Sequence, residues 1–273
     1  MTAQVGVIGC GNMGAALIRG MLKGRRIDPK KLMAWDSDAR KLERVSRALH
    51  FRRARSNRDV AGAAVILLAV KPQQMEEVLK EIRPCLTHRP LVVSIAAGIP
   101  IRWIEDLLGP SVPVVRMMPN TPALVGAGIA AIAAGRAAGA KDVKRAQEIF
   151  ECVGEVVRVP EKWMNAVTAV SGSGPAYFFY LMEQMVEAGV ALGLSREVAL
   201  KLVIETAHGA AALARVSDED ASTLRSKVTS KGGTTEAALR VFARLGVGRA
   251  IQAGVRAAAA RARQLGGKGG RNN

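Results

Sequence analysis

Residues Val5–Gly14 read VGVIGCGNMG: a short apolar run suited to a buried strand, then Gly9, Gly11 and Gly14 in the spacing G-x-G-x-x-G. The spacing has a physical meaning where a strand runs into a helix. Gly9 lets the chain turn sharply, Gly11 leaves out the side chain that would obstruct a pyrophosphate, and Gly14 lets the helix lie close on the strand. Phosphates then meet the unpaired N–H groups and the positive dipole end at the helix start. Gly9, Gly11, Asn12, Met13 and Gly14 are therefore the first cofactor-binding candidates, and a dinucleotide is the expected ligand.

Beyond this turn the pattern repeats. Apolar runs at Val5–Ile8, Leu32–Trp35, Val65–Val70, Leu91–Ile95, Val112–Met117, Ile129–Ala133 and Val156–Val159 alternate with segments of helical period such as Ala15–Lys23, Ala39–Leu49, Met75–Cys85 and Lys141–Cys152. Near-continuous apolar strands alternating with helices predict an α/β fold, a Rossmann-like parallel sheet covered on both faces. From Glu161 onward no strand pattern appears, and Pro160 separates the two regimes. The expected organisation is a dinucleotide-binding domain over 1–159, an all-helical dimerisation and substrate domain over 160–265, and a flexible glycine-rich tail, GGKGGRNN, over 266–273. Pro175 falls in the first turn of a long helix, Ala176–Leu192. With Tyr177, Phe178, Phe179, Tyr180, Leu181, Met182, Met185 and Val186, this helix is apolar nearly all round. Such a helix is buried on every side, which a small helical domain cannot achieve alone, so the protein is expected to form at least a dimer.

Composition narrows the classes. The N-terminus shows no signal-peptide pattern, and Glu183, Gln184 and Glu187 interrupt the most apolar segment, so no membrane span and a cytoplasmic location are expected. Cys10, Cys85 and Cys152 form no CxxC pair and read as free structural thiols. His50, His88 and His208 lie outside every motif, and no metal site is expected. Forty Lys plus Arg against 23 Asp plus Glu give a net charge of +17. That field can hold nucleic acid or steer anionic ligands. With aromatics at 4%, stacking platforms for single strands are scarce, so nucleic acid is not the expected partner.

The remaining candidates lie at the predicted strand ends. Asp36 ends the second strand, 22 residues beyond Gly14, near the place of a carboxylate that binds the adenosine ribose. It favours NADH, whereas Arg40 and Lys41 can hold a 2′-phosphate; Asp36 can also simply cap the helix that starts in DSDARK. Ala69, Val70, Lys71 and Pro72, in LLAVKPQQ, carry the chain out at the carboxyl edge of the sheet, where ligands of this fold bind. Asn120 and Thr121, in MPNTP, stand at the same edge, able to bond a ligand or only to make a turn. In the helical half, Ser171 lies in VSGSGPAYFF, and KVTSKGGTTEAAL places Thr229, Ser230, Gly232, Gly233, Thr234 and Thr235 ahead of a helix. Bare N–H groups and hydroxyls at a helix start suit a small anion such as a carboxylate. Plain capping explains one hydroxyl and one glycine, but not paired glycines flanked by four hydroxyls.

The motifs GVIGCGNMG, AVKP, MPNTP, SGSGPAY and VTSKGGTT, in this order and over nearly the whole chain, resemble pyrroline-5-carboxylate reductases. The resemblance implies reduction of the cyclic imine 1-pyrroline-5-carboxylate to L-proline, the last step of proline biosynthesis, with NADPH as cofactor and NADH as the second option. It implies that Ser230, Gly233 and Thr234, with Gly232 between them, bind the substrate carboxylate, and that the Thr235 hydroxyl contacts the ring nitrogen as the catalytic group. Asn57 resembles a cofactor-ribose contact, and Asp218 stands in the place of an acidic residue near the substrate amine. Asn120 and Ser171 complete the substrate-binding candidates. Lys231 is a departure, since the family usually has proline there. The chemistry is compatible with these residues: the cofactor supplies the hydride and the protein orients it, so a threonine hydroxyl serves where no strong acid is present. A 3-hydroxy-acid dehydrogenase or another imine reductase shares the two-domain plan, but Lys162, Lys201 and Lys227 lack the glycine-serine frame of a dehydrogenase acid. A basic nucleic-acid-binding protein that keeps the dinucleotide fold is the reading of a different class.

Overall fold

A computed structural model of the chain describes residues 4–268. Among the described residues eight strands form one sheet: β1 (Val5–Ile8), β2 (Leu32–Trp35), β3 (Arg52–Arg53), β4 (Val65–Leu68), β5 (Leu91–Ser94), β6 (Val114–Met118), β7 (Gly128–Ala134) and β8 (Gly154–Arg158), in the order β3-β2-β1-β4-β5-β6-β7-β8. The helices between them are α1 (Asn12–Lys23), α2 (Ala39–Leu49), α3 (Asn57–Ala61), α4 (Met75–Ile82), α5 (Ile101–Leu108) and α6 (Ala140–Phe150). Successive residues of each strand supply opposite cores. Val5, Val7, Val65, Leu67, Leu91 and Val93 point to one face, while Ile8, Ile66, Leu68 and Val92 point to the other. That alternation follows from the strand period of two, and both sets being apolar is why the strands read as continuous apolar runs.

Two features depart from the expectation. β7 pairs antiparallel with β6, against an otherwise parallel sheet. Residues 119–127 hold only a 3₁₀ turn at Thr121–Val125, too short for the helical crossover that a parallel return needs. The sheet also has an eighth strand, Arg52–Arg53, at its edge. Its two exposed arginines carry no apolar signal.

The rest is helical: α7 (Met164–Val167), a π-helical turn at Thr168–Gly172, then α8 (Gly174–Ala191), α9 (Arg196–Val216), α10 (Ala221–Lys227), α11 (Thr234–Arg244) and α12 (Val247–Lys268). The chain packs as two compact units. The first takes the chain up to Ser173 and again from Ala258; the second is Gly174–Ala257. Helix α12 continues through Lys268, so helix extends into the stretch expected as a tail from 266; residues 269–273 of that expectation lie outside the described residues. Within the second unit, Val186 on α8 packs with Ala199 and Val203 on α9. The long apolar helix is not buried on every side within one chain, because that small cluster covers a single stripe. Phe178, Phe179 and Tyr180 remain 64%, 62% and 65% exposed.

Candidate active site

In the first unit the glycine turn is built as its spacing predicts. Gly9 has φ 102, and a Cβ there would come within 2.5 Å of the Ala69 carbonyl oxygen. A Cβ on Gly14 would run into the Gly9 carbonyl oxygen, whereas over Gly11 nothing lies within 4 Å. The turn is thus packed tightly below and open above, as a pyrophosphate requires. Asn12 and Met13 open α1, and Ala69 and Val70, leaving β4, abut Gly9. Lys71 is exposed, and Pro72 begins a 3₁₀ turn.

Asp36 is committed to the backbone. Its Oδ2 accepts the Cys10 N–H at 2.7 Å and its Oδ1 the Asp38 N–H at 2.8 Å. The capping role considered for it belongs to Asp38, which accepts from Arg40 and Lys41 N–H. Asp36 instead ties the glycine turn to the start of α2, where Arg40 and Lys41 are exposed. Asn57 opens α3; its Nδ2 donates to Glu81 Oε2 at 2.7 Å, while its Oδ1 is buried without a hydrogen-bond partner. Asn120 is buried, and its Oδ1 accepts the Ile129 N–H at 3.0 Å, anchoring β7. Ser171 lies in the π-helical turn and donates to the Val167 carbonyl at 3.1 Å.

In the second unit, the loop between α10 and α11 collects the hydroxyls. Thr229 finishes α10 by donating its hydroxyl to the Arg225 carbonyl at 2.6 Å. The Ser230 carbonyl accepts the Gly233 N–H at 3.0 Å, and a Cβ on Gly233 would strike Ser230 Oγ. Ser230 therefore lies directly over the start of α11, where Gly233 provides extended backbone and no side-chain cap. Gly232 has φ 73. Thr234 is exposed and Thr235 half-buried in the first turn, Lys231 is exposed, and Asp218 is exposed between α9 and α10. Capping thus accounts for Thr229 alone among the four hydroxyls.

Sequence reasoning missed Glu236. Its Oε2 accepts the Gly232 N–H at 2.6 Å and holds the left-handed residue in place. The signal was present, since an acid at the third helical position reaches back to the residues before the helix. It also missed Arg116 and Glu161, which pair at 3.2 Å across 45 residues with no local signature. Arg116 is buried, and that desolvation draws its pKa down against the pull of Glu161. Among the described residues no group of three or more His, Cys, Asp or Glu could hold a metal, and no helix is long and apolar enough to cross a membrane.

The open cradle over a strand-turn-helix, in a sheet with the order β3-β2-β1-β4-β5-β6, defines a Rossmann-type dinucleotide-binding protein with a helical unit appended. Residues 4–98 match the family described as NADP oxidoreductase, coenzyme F420-dependent, and residues 161–265 match pyrroline-5-carboxylate reductase dimerisation. The pyrroline-5-carboxylate reductase of Pseudomonas aeruginosa is 41% identical over 97% of both chains. The solved reductase of Coxiella burnetii superposes with a TM-score of 0.90 at 35% identity, covering 97% of this chain and 99% of that one. The Plasmodium falciparum pyrroline carboxylate reductase, solved with NADP bound, gives a TM-score of 0.88 at 30% identity, covering 97% and 98%. The chain belongs to the pyrroline-5-carboxylate reductase family.

Proposed function

We propose that the protein reduces 1-pyrroline-5-carboxylate to L-proline with NADPH, NADH being the poorer donor. The carrying observation is the α11 start, residues 230–235, with more glycines and hydroxyls than its caps use, in a chain that also has the open dinucleotide turn. The first unit fits a dinucleotide on its own geometry: the space over Gly11 suits a pyrophosphate, and the orphaned Asn57 Oδ1 needs a donor such as a ribose hydroxyl. When bound, the reduced nicotinamide supplies the hydride. Gly9, Gly11 and Gly14, with Asn12 and Met13, hold the phosphates at the start of α1, and Ala69–Pro72 border the ligand at the sheet edge. Asp36 acts through the backbone it holds, which leaves Arg40 and Lys41 to meet a 2′-phosphate.

The N–H groups of the α11 start and the Ser230 and Thr234 hydroxyls hold the substrate carboxylate, with Lys231 adding positive charge beside it. The Thr235 hydroxyl bonds the imine nitrogen, steadying the proton that this nitrogen must carry as the C=N bond is reduced. Asn120, Ser171 and Asp218 complete the substrate contacts; Asn120 has its amide nitrogen for that purpose. The second copy implied by the dimerisation match covers the apolar surface of α8, giving a homodimer in the cytoplasm.

Absorbance loss at 340 nm, on mixing the protein with 1-pyrroline-5-carboxylate and NADPH or NADH, tests the reading. Oxidation with proline formation, faster with NADPH, supports it. Folded dimer that binds NADPH yet forms no proline refutes it.

A further inference from the structure

The loop between β5 and α5, residues 95–100, leaves the sheet at its carboxyl edge one strand beyond β4. In this strand order a dinucleotide lies across the β1/β4 switch point. With Asp36 and Asn57 toward the β2 side, a dinucleotide bound there would turn its nicotinamide half to the β4 and β5 side, where this loop leaves the sheet. The loop is held from two directions. At its centre Gly98 is buried with φ 79. A Cβ there would come 3.1 Å from the Gly266 nitrogen and 3.3 Å from Leu265 Cβ, and a Cβ on Gly266 would run into the Gly98 carbonyl oxygen. Backbone therefore rests on backbone, with no side chain between, and the buried Ala262 seats the helix one turn earlier. At the end of the loop, the Ile101 N–H donates to Glu161 Oε1 at 2.7 Å, the oxygen that also receives Arg116 Nη1. Arg116 Nε and Nη2 are buried without hydrogen-bond partners, so Glu161 is fixed by a guanidinium with a strong need for it.

Glu161 and Gly266 flank the two crossings by which the chain departs for, and returns from, Gly174–Ala257. Two segments far apart in sequence thus brace one short loop. We infer that the last turn of α12, through the Gly266–Gly98 contact, and Glu161, through Ile101, are positioning elements that set the height of the 95–100 loop against the nicotinamide ring. The inference rests on the reading given above. Neither residue touches the reacting atoms; their effect is on the pose from which the hydride leaves.

Gly266→Ala is the direct test, with exposed Gln264→Ala on the same turn as control. Four readouts are needed: hydrogen–deuterium exchange of residues 95–101, NADPH affinity by fluorescence, single-turnover oxidation with the imine, and Tm. In Gly266→Ala the loop should exchange faster and single-turnover oxidation should slow roughly 10- to 100-fold, the scale of a small misplacement of reacting groups. NADPH affinity should stay near wild type, because the phosphate cradle is untouched, while Tm falls by a few degrees from the added Cβ against the Gly98 backbone. Gln264→Ala should match wild type throughout. Unchanged exchange and rate in Gly266→Ala would overturn the inference, as would a fall in Tm and NADPH affinity together, which marks a merely structural contact. If Gly266→Ala does not fold, Glu161→Gln carries the same test, since its remaining acceptor and lost charge loosen the other brace. A wild-type protein that binds NADPH but does not oxidise it with the imine overturns the functional reading and this role with it. A wild-type protein that turns over, with variants equal to it, overturns the role alone.

Discussion

Thr235 is half-buried in the first turn of α11, and the role assigned to it is to hydrogen-bond a nitrogen rather than act as a strong acid. Thr235→Ala should therefore lower kcat by roughly 10- to 1000-fold, the modest end of general acid catalysis; steady-state assays with undiminished turnover would remove it from the mechanism. At the other end of the chemistry, Asp36 spends both carboxylate oxygens on backbone N–H groups. On the proposed reading, discrimination between cofactors falls to the exposed cations of α2, Arg40 and Lys41. Arg40→Ala should cost kcat/KM with NADPH about 10- to 100-fold, the worth of a charge-assisted bond, and leave NADH nearly unaffected; equal losses with both would place the phosphate elsewhere. Cys10 lies inside the glycine turn, and burial, helped by the Asp36 charge, pushes its thiol from 9.0 up to about 12. The folded state keeps a proton that the unfolded state releases, so stability falls as pH rises from about 9 toward 12 and is unaffected by this group below 9. At pH 8 iodoacetamide should label Cys10 in denatured protein and spare it in native protein, as read by mass spectrometry.

Among the elements, the braced start of α5 joins the sheet to the first helical residues. Removing the Glu161 carboxylate leaves the buried Arg116 guanidinium without an ion partner and the Ile101 N–H without an acceptor. Glu161→Ala should destabilise the protein by about 2–4 kcal/mol, a discount from a fully buried pair because the Glu161 side chain is 32% exposed. Denaturant titration checks this, and a loss below about 0.5 kcal/mol, the scale of exposed pairs, would contradict the assigned role. The same contact shows where sequence reading stops. Gly9, Gly11 and Gly14 were legible because strand, turn and helix are consecutive. The 230–235 loop was legible for the same reason, and Glu236 would have been, from its helical spacing. Arg116 and Glu161 had no such context, since an arginine in an apolar strand and a glutamate after a proline meet only once the chain has folded.

For the molecule as a whole, the unresolved balance within one chain is the apolar surface of α8. Phe178, Phe179, Tyr180 and Leu181 are each at least half exposed, spread around the helix, and so much exposed apolar side chain marks an interface. Phe179→Asp should convert the protein to a monomer of 28.9 kDa in sedimentation at micromolar concentration; a wild-type protein already monomeric there would refute dimerisation through these helices. The sequence by itself determined the α/β order, the dinucleotide turn, the helical second half and the hydroxyl loop, because each rests on residues close enough to share one element or one turn. Only the tertiary structure decided that β7 runs antiparallel, that Asp36 serves the backbone, and that Gly266 rests on Gly98. Those outcomes depend on which groups meet across long separations, where burial and unsatisfied hydrogen bonds, rather than local spacing, set the free energy.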